Sequence, residues 1–195
     1  TSYGNVYDYA VIADDPAWQL TDGTVQVWFK ANDSDGDASL ADEGVQAIVT
    51  RDATGVGEGH FYLDASGDDL RVQINGTNGG VLIATDVLTA GTFHQINVTF
   101  GSGGLEIWVD GTRVANDPAI TNGIDGNNEP WVLGASNHAS TAGGALDNLS
   151  TFGHGLIAEF AIFDSQLDSA TINDIYNAGV SGNDLTSGTT GDDTL

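Results

Sequence analysis

Carboxylates are the residues of this 195-residue chain best suited to chemistry, and most of them are aspartates. The chain has 28 acidic residues against four basic ones, for a formal net charge of −24. Aspartate is a short carboxylate that suits loops, and its oxygens are ligands of the kind that calcium prefers. The composition therefore predicts calcium binding. The alternative is an acidic surface that is only solvated, as in halophilic proteins.

The same charge bears on possible partners. A strongly acidic chain repels nucleic acid and anionic membranes, so neither is an expected partner. No apolar run approaches the roughly 20 residues that span a bilayer, so we expect no membrane insertion. The chain has no cysteine, which excludes disulfides and thiol chemistry. It begins at Thr1 with no signal-like segment, and we expect it to be part of a longer, extracellular or cell-surface protein.

One acidic segment resembles a calcium loop. Residues 33–37 read Asp-Ser-Asp-Gly-Asp, and Gly36 fits the sixth position of an EF-hand loop. The first position would then be Ala31, which has no ligating side chain, and the twelfth would be Asp42 instead of Glu. Two interpretations stay open: a flexible acidic loop and a calcium site.

The sequence lacks the catalytic carboxylate pattern of glycosidases and the ligand spacing of metal-binding histidines. Retaining glycosidases need two carboxyl groups about 5–5.5 Å apart, which jelly-roll glucanases obtain from an E-x-D-x-x-E strand. The five glutamates are scattered and form no such motif, and the four histidines show no metal-ligand spacing. We therefore expect a protein that is not an enzyme. The glutamates are Glu43, Glu58, Glu106, Glu129 and Glu159.

Hydrophobic alternation predicts the elements that position these residues. Thr24–Lys30 alternates apolar and polar residues, and Phe93–Phe100 with Gly104–Asp110 is typical of a β-hairpin. One helix is predicted over Ser169–Ala178, with Asp168 or Ser169 as its N-cap. About a dozen short strands and one short C-terminal helix indicate an all-β fold, a two-sheet antiparallel β-sandwich of the jelly-roll type. The remaining strands are predicted at Val6–Ala13, Val45–Thr50, Gly59–Asp64, Asp69–Asn75, Gly80–Ala84, Thr112–Val114, Glu129–Gly134 and Gly155–Asp164.

Two further features belong to this interpretation. Trp28 lies on the face of its strand opposite Val27 and Phe29, so that face must be covered or bind something. Residues 135–153 form a long loop rich in Gly, Ala, Ser and Asn, and loops of this length are usually functional or disordered.

Five short motifs give the chain a family resemblance. The motifs are Asp15–Trp18 with Thr24–Ala31, Thr92–Ile96 before Val109–Gly111, Asp125–Asn127, Leu133–Ala135, and Gly155–Asp164 followed by Leu167. With these five motifs in this order, the chain resembles bacterial laminin-G-like, concanavalin-A-like jelly-roll domains. The resemblance implies two curved antiparallel sheets and a binding module, often for sugars and often with calcium at the rim.

A more distant similarity to pentraxins implies metal ligands. In pentraxins, the residues after the strand that matches Ala47–Arg51 and the loop after Leu133-Gly134 supply calcium ligands. Carried over, these positions are Asp52, Ser136 and Asn137. Pentraxins have carboxylates in the second loop, where this chain has Ser and Asn, which implies weaker binding or more backbone and water ligands.

Other residues are candidates beside this set. Asp125 and Asn127, in the turn before Glu129, are the next metal-ligand candidates. For contact with a ligand, the candidates are Asn137, His138 and Asp147 of the long loop.

The C-terminal segment carries a second resemblance. Residues 188–195, Gly-Thr-Thr-Gly-Asp-Asp-Thr-Leu, are similar to the calcium-binding nonapeptide repeat of repeats-in-toxin proteins, apart from its second Gly. One repeat cannot stack on itself, so we expect 181–195 to be a linker with the start of a disordered repeat. Residues 1–180 are expected to form the jelly-roll domain, with a large secreted bacterial protein as the parent.

These observations lead to one function and two alternatives. We expect a non-catalytic, calcium-binding, lectin-like adhesion module whose partner is a glycan or cell-surface ligand and which is monomeric when isolated. The first alternative is a structural spacer or protein-binding module of an adhesin. The second is a polysaccharide-degrading jelly-roll enzyme with an unfamiliar site.

Overall fold

The protein is an antiparallel β-sandwich of two large sheets with one C-terminal helix. This confirms the predicted fold class, a jelly-roll sandwich. The computed structural model describes residues 8–32, 40, 44–52, 57–137, 146 and 149–181.

The first sheet has six strands in the order β1-β10-β3-β4-β5-β6. Its central strands β3, β4 and β5 are joined by consecutive antiparallel pairing, with Thr50 opposite Tyr62 and Tyr62 opposite Gln73. The strands of this sheet are β1 Ala10–Ile12, β3 Val45–Arg51, β4 Phe61–Ser66, β5 Asp69–Ile74, β6 Gly80–Ala84 and β10 Trp131–Leu133.

The second sheet has five strands in the order β13-β2-β7-β8-β9. The predicted hairpin is its pair β7–β8, with Val98 opposite Ile107. A bulge in β13 between Ala158 and Ala161 gives Glu159 a positive φ of 50°. The strands are β2 Gly23–Ala31, β7 Phe93–Phe100, β8 Leu105–Val109, β9 Thr112–Asp117 and β13 Gly155–Phe163.

The core lies between the two sheets and follows from the period-two alternation. Val25, Val27 and Phe29 of β2 point inward and are at most 1% exposed. Phe61 and Leu63 of β4 meet them from the other sheet, both fully buried. Each large apolar side chain buried in this way contributes about 1.5–3 kcal/mol, so the core fixes which face of each strand remains for a site.

Helix α1, Ser169–Ser181, covers the outer face of the five-stranded sheet. The Asp168 carboxylate accepts a hydrogen bond from the amide of Thr171 at 2.8 Å, which confirms it as the helix cap. Tyr176 stacks on Trp28 with ring centroids 6.0 Å apart. The face that carries Trp28 is therefore covered by the helix. Gly179 also lies against this ring, since a Cβ there would sit 2.4 Å from the Trp28 side chain.

The segment 135–153 differs from the prediction of a simple loop. It contains a two-stranded ribbon, β11 Ser136–Asn137 paired with β12 Leu149–Ser150. The residues beyond the ribbon bond back to the first sheet, as the amide of Ala47 donates to the carbonyl of Thr151 at 3.0 Å. The predicted acidic loop 33–37 and the tail 182–195 lie outside the described residues.

Asp22 joins the turn after β7 to the start of β2 and gives a prediction about pH. Its Oδ1 accepts hydrogen bonds from Ser102 N at 2.7 Å and Ser102 Oγ at 2.6 Å, and these bonds lower the pKa of Asp22. A carboxylate with a lowered pKa in the folded state stabilises the fold above its unfolded pKa of about 3.9. That contribution is lost as the pH falls through the folded value.

We therefore expect Asp22→Asn to lower the melting temperature at pH 7, and the difference from wild type to shrink as the pH falls below about 4. The loss should be about 1 kcal/mol or less because solvent screens this site, which is about 2–4 °C or less in a chain of this size. Thermal unfolding from pH 7 to 3 measures it, with the exposed helical residue Asp174 replaced by Asn as the control. A difference that is the same at every pH would contradict this role.

Candidate functional site

Asp52 follows directly after β3, and its side chain is buried and bonded to the ribbon. Its Oδ2 accepts a hydrogen bond from Ser136 Oγ at 2.7 Å and another from the backbone amide of Asn137 at 2.8 Å. The structure therefore brings together the three residues that the resemblance to pentraxins implied, although they are 84 and 85 positions apart in sequence.

A reversal of the chain after β10 explains this meeting. Strand β10 pairs antiparallel with β3, with Val132 opposite Thr50, so the chain leaves β10 in the direction away from Asp52. After β10 the chain turns at Gly134, which has a φ of +79°. Thr50 Oγ1 then donates to the carbonyl of Ala135 at 2.9 Å, which holds the start of the ribbon beside Asp52.

Two buried oxygens at this point have no hydrogen-bond donor among the described residues: Asp52 Oδ1 and Asn137 Oδ1. Asp52 and Asn137 are each only 2% exposed. Leaving a buried acceptor without a partner costs about 1–3 kcal/mol, and more when it is charged. Carboxylate and amide oxygens are ligands that calcium takes, so the chemistry of this donor set fits that cation.

An aromatic pair lies against the same carboxylate. His60 Nδ1 is 3.5 Å from Asp52 Oδ1, and the His60 ring stacks on Tyr62 with centroids 6.0 Å apart. The Tyr62 side chain is hydrogen-bonded to those of Ser136 and Thr151, and burial raises the pKa of its hydroxyl. Tyr62 is therefore neutral at physiological pH and helps to hold Ser136 in position.

Sequence reasoning missed the place of His60 at this site. The available signal was the alternation through β4, because positions 60, 62 and 64 share one face of an extended chain. Tyr62 and Trp131 are both buried, at 6% and 0% exposed. Trp131 belongs to the core between the sheets, whereas Tyr62 lies on the opposite face of its sheet from the core residues Phe61 and Leu63.

The turn before Glu129 contains the other two predicted metal ligands. The Asn127 amide nitrogen donates to the carbonyls of Arg51 at 2.8 Å and Gly59 at 3.0 Å. Its amide oxygen accepts from the backbone of Glu129 at 2.9 Å. The Asn127 side chain is thus engaged with backbone groups and fixes the segment that carries Asp52. Asp125 lies in the same turn and is half-buried.

Gly59 makes this arrangement possible. Its φ is +71°, and a Cβ at this position would lie 2.3 Å from the carbonyl oxygen of Asp125. Only glycine fits such a conformation and such a close approach. The turn can therefore cross the chain directly before His60.

Arg51 anchors the region from inside. Its side chain is fully buried, and Nη2 lies 2.6 Å from Asp14 Oδ1. Its other bonds go to backbone carbonyls, including Asn127 O at 2.6 Å and Glu129 O at 3.1 Å. Burial lowers the pKa of this guanidinium while Asp14 opposes the shift, and the group stays charged. Sequence reasoning noted Arg51 only as one of four cations.

Two predicted ligand-contact residues, His138 and Asp147, lie outside the described part of the chain. A separate group of acids was not anticipated. Asp68, Asp69 and Asp86 offer carboxylate oxygens within 4.8 Å of one another, and all three are at least partly exposed. Within the described residues this is the one group of three such side chains, and exposed acids often gather without an ion.

The fold defines a class of protein, the lectin-like β-sandwich. A family model described as the concanavalin A-like lectin/glucanases superfamily, Laminin_G_3, matches residues 4–173, and the chain belongs to this family. This confirms the resemblance to laminin-G-like domains. Among curated proteins, none matches the sequence.

Solved structures share the fold at low sequence identity. The carbohydrate-binding module CBM40 of the Ruminococcus gnavus IT-sialidase, bound to α2,3-sialyllactose, has a TM-score of 0.59 and 13% identity, covering 87% of this chain and 96% of its own. The binding domain of botulinum neurotoxin serotype D has a TM-score of 0.63 and 14% identity, covering 90% of this chain and 42% of its own. The chain thus spans less than half of that toxin structure. The chain therefore shares its fold with this carbohydrate-binding module and with this toxin binding domain.

No helix in the described ranges has the length and apolar character needed to cross a membrane.

Proposed function

We propose that this chain is a non-catalytic, calcium-binding carbohydrate-binding module of a secreted bacterial protein that acts in adhesion. The observation that carries the proposal is that two buried oxygens, Asp52 Oδ1 and Asn137 Oδ1, have no hydrogen-bond donor among the described residues. The other oxygen of the Asp52 carboxylate accepts a hydrogen bond from Ser136. The family and a similar solved structure support a glycan as the ligand, because the family is described as lectins and glucanases and CBM40 is a carbohydrate-binding module.

Calcium would satisfy the two buried oxygens and compensate the charge of Asp52. It would also tie the end of β3 to the ribbon, since Asp52 directly follows β3 and Asn137 lies in β11. The predicted ligand contacts, His138 and Asp147, follow Asn137 in the sequence. Asp125 is the further candidate ligand from the neighbouring turn.

The geometry of the described residues gives an enzyme no particular support. Glu106 lies on the five-stranded sheet and bonds to Trp108 Nε1 at 2.9 Å and Arg113 Nη1 at 2.6 Å. Glu129 is buried beside Arg51, and its backbone carbonyl accepts from that guanidinium. These glutamates are placed as structural groups, and a binding role is favoured.

The test is a glycan-array measurement with fluorescently labelled protein, made once in millimolar calcium and once with excess chelator. We expect binding to a defined set of glycans that is lost with the chelator. Binding that is equal in both conditions would overturn the calcium part of the proposal. No binding by a folded protein would overturn the carbohydrate part and favour a spacer or protein-binding module.

A further inference from the structure

Arg71 lies on the solvent-facing side of the six-stranded sheet, next to the candidate calcium site. We propose that its guanidinium binds an acidic group, a carboxylate or a sulfate, on the glycan. This inference rests on the proposed function, and it specifies the class of sugar that the same site takes.

The position of Arg71 follows from the strand register. Asp64 pairs with Arg71 and Tyr62 pairs with Gln73 across β4 and β5, so these four side chains share one face. The guanidinium carbon of Arg71 lies 5.7 Å from the centroid of the Tyr62 ring.

Tyr62 connects Arg71 with the candidate calcium site. The side chain of Tyr62 is hydrogen-bonded to Ser136, which in turn donates to Asp52. The Tyr62 ring therefore lies between Arg71 and the residues of the candidate calcium site.

A buried carboxylate fixes the guanidinium from beneath. Arg71 Nε and Nη2 donate to Asp64 Oδ2 at 2.9 and 2.6 Å. The Asp64 side chain is fully buried, whereas that of Arg71 is 39% exposed. Burying one member of an ion pair contributes little net stability, because desolvation offsets the attraction. The arrangement does orient the guanidinium, and its Nη1 has no acceptor among the described residues.

Burial of Asp64 has a second consequence for this pair. Desolvation raises the pKa of Asp64, and the hydrogen bonds from Arg71 oppose that shift. The bonds to Asp64 in turn raise the pKa of Arg71, so the guanidinium is charged throughout the physiological range.

The other cations of the chain are placed differently. Arg51 is fully buried, while Lys30 and Arg113 lie on β2 and β9 of the opposite sheet. Because the chain has only these four basic residues, Arg71 is the exposed cation on the face that carries the candidate site. A guanidinium binds carboxylate and sulfate through paired N–H groups, and it does so better than an ammonium.

The net charge of −24 limits what kind of acidic glycan fits. The negative charge of the protein repels a dense polyanion, although salt weakens this repulsion at distances beyond about 8 Å. The attraction between Arg71 and one acidic group acts at contact distance, where salt weakens it much less. The expected ligand is therefore a glycan with isolated acidic groups, and not a densely sulfated chain.

The experiment compares Arg71→Gln with wild type on an array of matched neutral, carboxylated and sulfated glycans in millimolar calcium. We expect wild type to prefer acidic glycans, and Arg71→Gln to lose roughly ten- to a hundredfold of that affinity, the range for a hydrogen bond to a charged group. The carboxylated and sulfated arms identify the acidic group.

Two further variants control for stability and for charge. Arg113→Gln removes a similar arginine from the other sheet, one that pairs with Glu106 at 2.6 Å and lies 5.8 Å from the Trp108 ring, and should leave binding unchanged. Arg71→Lys keeps the positive charge above Asp64 but lacks the paired N–H donors of the guanidinium. This variant should therefore fold, and it should bind acidic glycans more weakly than wild type does.

Equal binding of neutral and acidic glycans, with no effect of Arg71→Gln, would overturn this inference and leave the proposed carbohydrate function intact. Failure of the folded wild-type protein to bind any glycan would overturn both.

Discussion

We expect calcium to raise the melting temperature of the wild-type protein, and the replacement of Asp52 with asparagine to abolish that rise. Calcium at about 100 times its dissociation constant would stabilise the folded state by about 2.7 kcal/mol. In a chain of this size that corresponds to roughly 5–10 °C. Asparagine has nearly the same shape as aspartate but carries no charge. The variant therefore removes the charge that attracts calcium with little change in packing.

The measurement is thermal unfolding of both proteins with calcium and with chelator. The quantity compared is the calcium-dependent increment, because Asp52→Asn also weakens the bonds from Ser136 and Asn137 and lowers stability without calcium. Asp86→Asn is the matched control, since it alters the exposed acidic group formed with Asp68 and Asp69. If Asp86→Asn removes the increment and Asp52→Asn retains it, calcium binds elsewhere than proposed.

Replacing Arg51 with methionine should destabilise the fold more than the same replacement of any other cation of the chain. The fully buried guanidinium donates to four backbone carbonyls, and its loss would also leave Asp14 without its cation. Breaking a buried charged network in this way costs about 3–5 kcal/mol. We therefore expect the melting temperature to fall by roughly 6–20 °C.

Urea and thermal unfolding of Arg51→Met measure the loss, and Arg113→Met is the control. The Arg113 side chain is 49% exposed and pairs with Glu106, so its replacement should cost about 1 kcal/mol or less. Comparable stabilities of the two variants would contradict the anchoring role of Arg51. Arg51→Lys should also be strongly destabilised, because an ammonium cannot reproduce the fork of donors.

Local pattern was enough to predict most of the fold. Alternation predicted β7 at Phe93–Phe100, and a strand was also predicted at Gly80–Ala84, which is β6. Both have these bounds in the structure. The helix begins at Ser169 as predicted, and ends three residues later, at Ser181 instead of Ala178. These features are local because side-chain periodicity and capping act within a few residues.

The short ribbon β11–β12 was missed for the same physical reason. Each of its strands has two residues, too few to show any period, and they pair across the segment 138–148. Trp28 illustrates a related limit. Alternation showed that its face must be covered or bind something, but only the packing of Tyr176 and Gly179 against its ring revealed that the helix covers it.

By itself, the sequence determined an acidic all-β sandwich with one capped helix, and its resemblance to a family implied Asp52, Ser136 and Asn137 as partners. Only the tertiary structure decided that these three residues meet, that the Asn127 side chain hydrogen-bonds to backbone groups, and that Arg51 lies in the interior. It also placed Arg71 on the face of the candidate site. The physical reason is that these contacts join residues far apart in sequence, through strand register and turns that no local pattern encodes.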